Sequence, residues 1–385
     1  MIKTHASRIA GAALAVALVL TAGGCATDAP ATVGQNPTAW QAMLHQWRSR
    51  GDAPATVLGV ATADGETWVG ADGTPERDGH TPVRTDAPFR IASITKVFVA
   101  VVVLQLIEEG RLGLDDPASR YAPDAAAWPA TIRQLLNHTS GIPDFSMNDE
   151  FGEQLAARRD RRWTAADVVA LVADKEPAFP AGTDYAYSNT DYVLLGEVIE
   201  TVTGHGWAQE IRRRILNPLA LRDTYVAGFE PVHRPVIPGY FDLDNDGDFD
   251  NVETDQPWTS LETSDGAAGC IVSTAPDLLA FGDALFHGRL LSAERMRAMT
   301  AEGPFHPRFT NYGLGLEIAR PDYRTTIWGH GGYLPGFRSG LWYVPSREAV
   351  IVVLANDARA EPRDLAELAM RRLPVREPSR RQGSR

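Results

Sequence analysis

The sequence predicts an α+β fold: an antiparallel β-sheet flanked by helices, with a long, mostly helical lobe inserted into it. Two observations carry this. Short apolar or alternating runs separated by turn residues lie near both ends of the chain, and no helix separates the last four, so they connect as hairpins rather than parallel crossovers. Between the two groups, over residues 115–222, apolar residues recur mostly at helical spacing or give way to loops. A chain of 385 residues is long enough to hold such a fold by its own core.

Taken in order, Lys3 and Arg8 give a positive start, and an apolar run follows over residues 9–20. That run is short for a bilayer span and leads into small residues, the pattern of a signal peptide. Its end, Ala22-Gly23-Gly24-Cys25, resembles the lipobox of bacterial lipoproteins, with Ala22 where Leu is usual. Residues 1–24 are therefore expected to be a lipoprotein-type signal, Cys25 the lipid anchor, and the protein exported to the cell envelope. An ordinary secretory signal with an incidental Cys is the alternative. Residues 25–38, small, polar and Pro-bearing, suit a tether. The domain proper is expected over 39–375, and the basic, polar tail 376–385 is expected to be disordered.

Within the domain, Trp40, Met43, Leu44 and Trp47 mark a helix over 38–50, closed by Gly51. Strands over 55–61 and 66–69 are joined by Asp64-Gly65, a hairpin signal. A helix beginning at Ser93 places Val97, Val101, Leu104 and Ile107 on one face and stops at Gly110; another runs over 191–203 to Gly204. Strands return over 313–318, 325–328, 339–344 and 349–354, and a last helix covers 361–373. No internal repeat is present.

Composition limits function. The formal charge of -12 opposes nucleic-acid binding, which needs clustered positive charge. No second apolar stretch reaches membrane-spanning length, so a lipid anchor is the one membrane attachment expected. With Cys25 lipidated, Cys270 has no disulfide partner, and its small, apolar surroundings (Gly266 to Val272) suit a buried inert thiol. Basic side chains are nearly all Arg; Lys3, Lys96 and Lys175 are the only lysines.

Ser93 and Lys96, three apart at a helix start, share one face. The helix tip offers unpaired N–H groups to a developing oxyanion. A serine hydroxyl becomes a useful nucleophile only when something removes its proton, and a lysine in a dry cleft has the lowered pKa to do so. In an extended stretch Tyr187 and Asn189 point the same way, so both can face one cleft. Tyr187, as tyrosinate or sharing a proton with Lys96, is a candidate base. Locally, packing for Tyr187 and helix capping for Asn189 are the alternatives. Trp328-Gly329-His330-Gly331-Gly332-Tyr333 ends a predicted strand, where glycines let a substrate approach the edge. Alone, His330 reads more readily as a satisfied surface or core histidine than as a site residue.

Together, Ser93-x-x-Lys96, Tyr187-x-Asn189 and His330-Gly331-Gly332, in this order, resemble the three motifs of the serine β-lactamase and penicillin-binding protein superfamily. The likeness is nearest to the branch of class C β-lactamases, D-alanyl-D-alanine carboxypeptidases and related esterases. Phe89-Arg90-Ile91-Ala92, Leu135-Leu136-Asn137-His138-Thr139-Ser140-Gly141-Ile142 and Gly336-Phe337 agree. The resemblance implies that Ser93 is acylated, that Lys96 and Tyr187 share acid and base duty, and that Asn189 orients the acyl group. It also implies an oxyanion hole from the N–H groups of Ser93 and Tyr333, with His330, Gly331 and Gly332 along the substrate. His330 stands where class C β-lactamases have Lys, and resembles some carboxypeptidases of the branch more. The expected activity is a carboxypeptidase-like acyl-enzyme hydrolase acting on a D-amino-acid peptide. A β-lactamase, an esterase and a non-catalytic penicillin-binding sensor are the rivals, with β-lactam or ester as the other substrates.

No cofactor is required by this chemistry. Asp242, Asp244, Asp246, Gly247 and Glu253, with Asp248 between, match the twelve-residue calcium-loop pattern, although no helix precedes it. A structural Ca²⁺ clip and a solvated acidic loop are the two readings.

Overall fold

The computed structural model describes Val33 and residues 36–375, apart from 52, 243–245, 255–257, 302, 304–310 and 322–324. The expected signal, Cys25, most of the tether and the 376–385 tail lie outside the described residues.

Seven strands form one antiparallel sheet in the order Thr67–Gly73, Ala55–Thr62, Ala349–Ala355, Phe337–Val344, Ile327–Leu334, Glu317–Ala319 and Asn311–Tyr312. The first long strand thus pairs with the last, in register Val57↔Leu354 to Thr62↔Ala349. Side chains alternate between faces. Leu58, Val60, Ile351 and Val353 meet Trp40, Leu44, Leu365 and Ala369 of the helices Pro37–Arg48 and Pro362–Arg372. Val57, Val352 and Leu354 face the larger core on the other side. Ala349–Ala355 is covered on both faces, hence its unbroken apolar run.

The helix Thr95–Glu108 differs from the one-faced helix that the spacing predicts. Its residues from Thr95 to Leu104 are all buried, because it runs between the sheet side and the helical lobe. Phe98 stacks on Phe281 of the helix Ala275–Phe286 at 3.7 Å between ring centres.

The strand predicted over 325–328 also extends further. It runs from Ile327 to Leu334, through the glycines, because Phe337–Val344 pairs along its whole length after the turn at Gly336 (φ 83°). A side chain at Gly332 would meet Ser339 Oγ at 2.2 Å and the Ile91 carbonyl at 2.3 Å. The glycine therefore marks where this strand abuts the turn that carries Ser93. A small sheet absent from the sequence prediction, Phe89–Arg90 with Ile271–Ser273 and Tyr225–Val226, anchors that turn from the other side.

Candidate active site

Ser93 lies not in the α-helix itself but in the 3₁₀ turn Ala92–Ile94 that leads into it. Ala92 takes φ 49°, a left-handed conformation costing a non-glycine residue about 1–3 kcal/mol. Its neighbours enforce it. Ser339 Oγ donates to the Ile91 carbonyl at 2.8 Å, Ile91 N–H donates to Ile271 O at 3.0 Å, and Ile271 N–H donates to Thr95 Oγ1 at 3.1 Å.

Lys96 is fully buried. Its Nζ lies 3.1 Å from Ser93 Oγ, 2.8 Å from Asn189 Oδ1 and 2.7 Å from the Ala268 carbonyl. Burial pulls its pKa down to about 7, against the upward pull of Asp265, Asp144, Asp191 and Glu317, none of which touches the amine. Two carbonyl-type acceptors take two of the amine's hydrogens; in the neutral form this leaves the lone pair for Ser93.

The Tyr187 ring lies 4.9 Å from Lys96 Nζ and 4.3 Å from the His138 ring. Its phenolic oxygen is buried without a hydrogen bond of good geometry, although Ser93 is near enough to favour ionisation slightly. Burial dominates and holds the phenol protonated. The free tyrosinate considered from sequence is therefore disfavoured in the resting site; the phenol is a proton donor.

Asn189 opens the helix Asn189–Thr203 rather than capping it; Ser188 takes the cap position. Both ends of its amide are engaged. Oδ1 accepts from Lys96, and Nδ2 donates to Asp144 Oδ2 at 3.1 Å. Asn189 thus separates the amine from that carboxylate. The conspicuous stretch around His138 proves to be support. His138 Nδ1 is 3.0 Å from Asp191 Oδ2, Ser140 Oγ donates to Asp191 Oδ1 at 2.6 Å, and the His138 ring backs Tyr187.

On the motif strand, His330 is buried and neutral, its pKa pushed down to about 3, chiefly by burial. Nδ1–H donates to the Gly331 carbonyl at 2.5 Å, which leaves Nε2 to accept the Tyr312 hydroxyl at 2.9 Å. Gly331 N–H points away from the partner strand, toward Glu317 Oε1 at 3.5 Å. By alternation Tyr333 N–H faces the same open edge. The Tyr333 side chain is exposed, with the Arg338 guanidinium over its ring at 4.5 Å.

Ser93, Tyr187, Asn189, His330, Gly331, Gly332 and Tyr333 line one cleft of about 530 Å³, with Lys96 beneath it. The structure adds Tyr185, Tyr312 and Glu317 to its walls, none singled out by the sequence. Glu317 is 5 % exposed, and burial raises its carboxyl to about 8. Its only sequence signal is an acid in an otherwise apolar strand.

The acidic loop lies apart. Asp242 accepts from the N–H groups of Asp246 (3.1 Å) and Gly247 (3.0 Å), and Asp246 Oδ1 accepts from Asp248 N–H at 2.8 Å. Asp244 is outside the described residues. Glu253 is turned to Arg90, at 2.8 Å. Among the described residues no three acids, histidines or cysteines gather as a metal cage. Cys270 is buried, which pushes its thiol pKa well up.

Residues 41–373 match the β-lactamase family. Penicillin-binding protein 4 of Amycolatopsis lactamdurans is 30% identical over 336 residues, 82% of this chain and 84% of that protein. Two solved structures share the fold across 86% of this chain. The D-stereospecific amidohydrolase from Streptomyces sp. is 32% identical with a TM-score of 0.74 over 97% of its chain. The D-amino acid amidase from Ochrobactrum anthropi SV3, complexed with D-phenylalanine, is 30% identical with a TM-score of 0.76 over 98% of its chain. A serine, an amine and a phenol converge at one cleft inside this fold, and the chain belongs to the β-lactamase and penicillin-binding protein family of serine hydrolases.

Proposed function

We propose that this protein hydrolyses an amide or peptide bond beside a D-amino acid through a Ser93 acyl-enzyme. The observation that carries the reading is the neutral-leaning Lys96 amine 3.1 Å from Ser93 Oγ. Lys96 takes the hydroxyl proton as Ser93 Oγ attacks the carbonyl carbon. The oxyanion forms against the N–H groups of Ser93 and Tyr333, each such donor worth about 10²–10³ in turnover. The C–N bond then breaks as Tyr187 gives its proton to the leaving nitrogen, and Lys96 returns the Ser93 proton to the phenol. Water, deprotonated by the same pair, releases the acid and frees Ser93.

The choice of a D-amino-acid amide rests on the two D-specific amide hydrolases that share this fold. A D-alanyl-D-alanine carboxypeptidase-like cut is one form of this reaction, and release of ammonia from a D-amino-acid amide is another. Rates on a D-Ala-D-Ala peptide, a D-amino-acid amide, a short-chain ester and a chromogenic cephalosporin separate these activities. Mass spectrometry after a β-lactam is added tests the acyl-enzyme, with Ser93→Ala as control. An intact mass unchanged by every such reagent would leave the sensor reading in its place.

Two sequence readings stand as separate proposals. Export with lipid on Cys25 is tested by the mass of the mature N-terminus, which an unmodified Cys25 would contradict. Calcium in the 242–253 loop is tested by Tm in chelator against millimolar Ca²⁺, a rise supporting it and an unchanged Tm opposing it.

A further inference from the structure

Residues 138–141 clasp the stretch that carries Tyr187 and Asn189. Ala186 N–H donates to the His138 carbonyl at 3.1 Å, Gly182 N–H to Thr139 O at 2.7 Å, and Ala178 N–H to Gly141 O at 2.9 Å. His138 holds φ 59°, a left-handed conformation that a non-glycine residue keeps only where its surroundings impose it. Its side chain turns to the same stretch. The ring centre lies 4.3 Å from that of Tyr187, and Nδ1 accepts from Ser188 N–H at 3.3 Å. One imidazole thus bears on the phenol and on the backbone between Tyr187 and Asn189.

The hydrogen bonds around that imidazole say where its protons sit. A ring nitrogen that accepts carries no hydrogen of its own. Nδ1, accepting from Ser188, cannot also donate to Asp191 Oδ2, 3.0 Å away, so Oδ2 supplies the hydrogen of that contact. The other carboxyl oxygen agrees. Ile142 N–H donates to Ser140 Oγ at 3.0 Å, which leaves the Ser140 hydroxyl to donate to Asp191 Oδ1 at 2.6 Å. Oδ1 is then the carbonyl oxygen and Oδ2 the hydroxyl of a carboxylic acid. Both His138 and Asp191 are completely buried, and burial pushes the Asp191 carboxyl well up from its ordinary value, in the same direction.

A neutral couple suits what surrounds it. Among the described residues the titratable groups facing the pair are Lys96 from the nucleophile helix, Asp144 at the start of the turn Phe145–Met147, Tyr185 and Tyr187 from the motif stretch, Tyr192 from the helix of Asp191, and Tyr312 from the sheet edge. An ionised Asp191 would pull the Lys96 amine toward its charged form. An imidazolium behind Tyr187 would draw the phenol toward tyrosinate. In so dry a site either field is strong. The neutral pair gives direction and imposes neither.

We propose that His138 is a positioning residue for Tyr187 and Asn189, and that Asp191 serves it as an uncharged acid, donating its hydrogen to Nδ1. The inference rests on the acyl-enzyme reading and adds to it a third proton-bearing carboxyl, beside the amine and phenol, that never exchanges charge with them.

NMR of the nitrogen-labelled wild-type protein tests the proton placement without reference to turnover, with His138→Asn, which tolerates the left-handed backbone, assigning the signals. Between about pH 5 and 8 the His138 ring is expected to show a bare Nδ1 and a protonated Nε2; a proton on Nδ1 overturns the inference. Acylation by p-nitrophenyl acetate tests the consequence. In Asp191→Asn the amide N–H replaces the acid O–H on Nδ1 and the amide oxygen still accepts from Ser140, so the acid limb of the rate profile should stay within about half a unit of its wild-type position. Were Asp191 ionised, losing its charge would lower the Lys96 pKa and carry that limb downward. A shift larger than this overturns the inference. Asp191→Leu removes the donor and should lower kcat at least about tenfold, with KM little changed, at a fold verified by Tm. Folded Asp191→Leu with wild-type kcat also overturns it, and if neither variant folds the His138 signals decide. Absence of Ser93 acylation in the wild-type protein removes the acyl-enzyme reading and the positioning role with it; acylation alongside a protonated Nδ1 removes this inference alone.

Discussion

Arg90 and Lys96 flank Ser93 on the chain, and both are buried basic side chains, yet their surroundings drive them in opposite directions. Arg90 is gripped by Glu253 through Nε and Nη2 (2.8 and 3.3 Å) and by Glu262 through Nη1 at 2.8 Å, and these contacts outweigh desolvation and raise its pKa. Among the described residues Lys96 Nζ hydrogen-bonds only to a hydroxyl, an amide oxygen and a backbone carbonyl. The nearest carboxylates act on it from a distance, and desolvation wins. Burial alone does not decide whether a cation is a brace or a base. Contact with a carboxylate does, and Asn189, bonded to Lys96 on one side and Asp144 on the other, keeps that contact from forming.

The comparison breaks most visibly at Lys96. Lys96→Met should lower kcat/KM by about 10²–10⁴, the range for losing a general base, measured on an ester and an amide. Arg90→Met should take from two mostly buried glutamates the arginine they share and destabilise the fold by about 3–5 kcal/mol in denaturant titration. Equal effects of the two changes on stability would erase the distinction. Asn189→Asp should convert the Lys96 site toward the Arg90 kind. A carboxylate in contact would raise the amine's pKa, reduce turnover at pH 7 by about tenfold for each unit of rise, and move the acid limb of the rate profile upward.

The smallest effect is the most diagnostic of sign. The folded pKa of Lys96 lies below its ordinary 10.5, so the native state binds fewer protons than the unfolded chain between about 7 and 10.5. The penalty of burying the amine grows as pH falls through that window and is complete below it. Lys96→Met should therefore raise Tm by about 2 °C at pH 6 and by little near pH 10.5. A lower Tm at pH 6 would mean that Lys96 braces the fold as Arg90 does.

These contrasts also explain what could be read in advance. Ser93, Lys96, Tyr187 and Asn189 sit in short local patterns whose spacing follows helix and strand geometry, and they converge in one cleft. The long strands Ala55–Thr62, Phe337–Val344 and Ala349–Ala355 and the outer helices were legible because their apolar periods match their one or two covered faces, whereas the single strand expected over 313–318 is two short ones, Asn311–Tyr312 and Glu317–Ala319, on either side of a turn at Gly315. The nucleophile helix was not fully so: with apolar residues nearly all round, no single stripe defines its buried side. Glycines concealed the length of the strand Ile327–Leu334, since their role is close approach to Ile91 rather than a break. Glu317, Asp144, Asp265 and the Glu253–Arg90–Glu262 cluster reach their positions through long-range pairing. No local spacing announces that kind of neighbour, and Glu253, which in sequence completes a calcium-loop pattern, faces an arginine instead.

The most direct test of the central claim, that a neutral Lys96 amine activates Ser93, is the pH dependence of single-turnover acylation by p-nitrophenyl acetate between pH 5 and 10. Loss of the Lys96 proton switches the base on, so the rate should rise with pH through an apparent pKa of about 7 and then level off. A rate flat across pH 5–9, or a rise that begins only near the ordinary lysine value of 10.5, would contradict it.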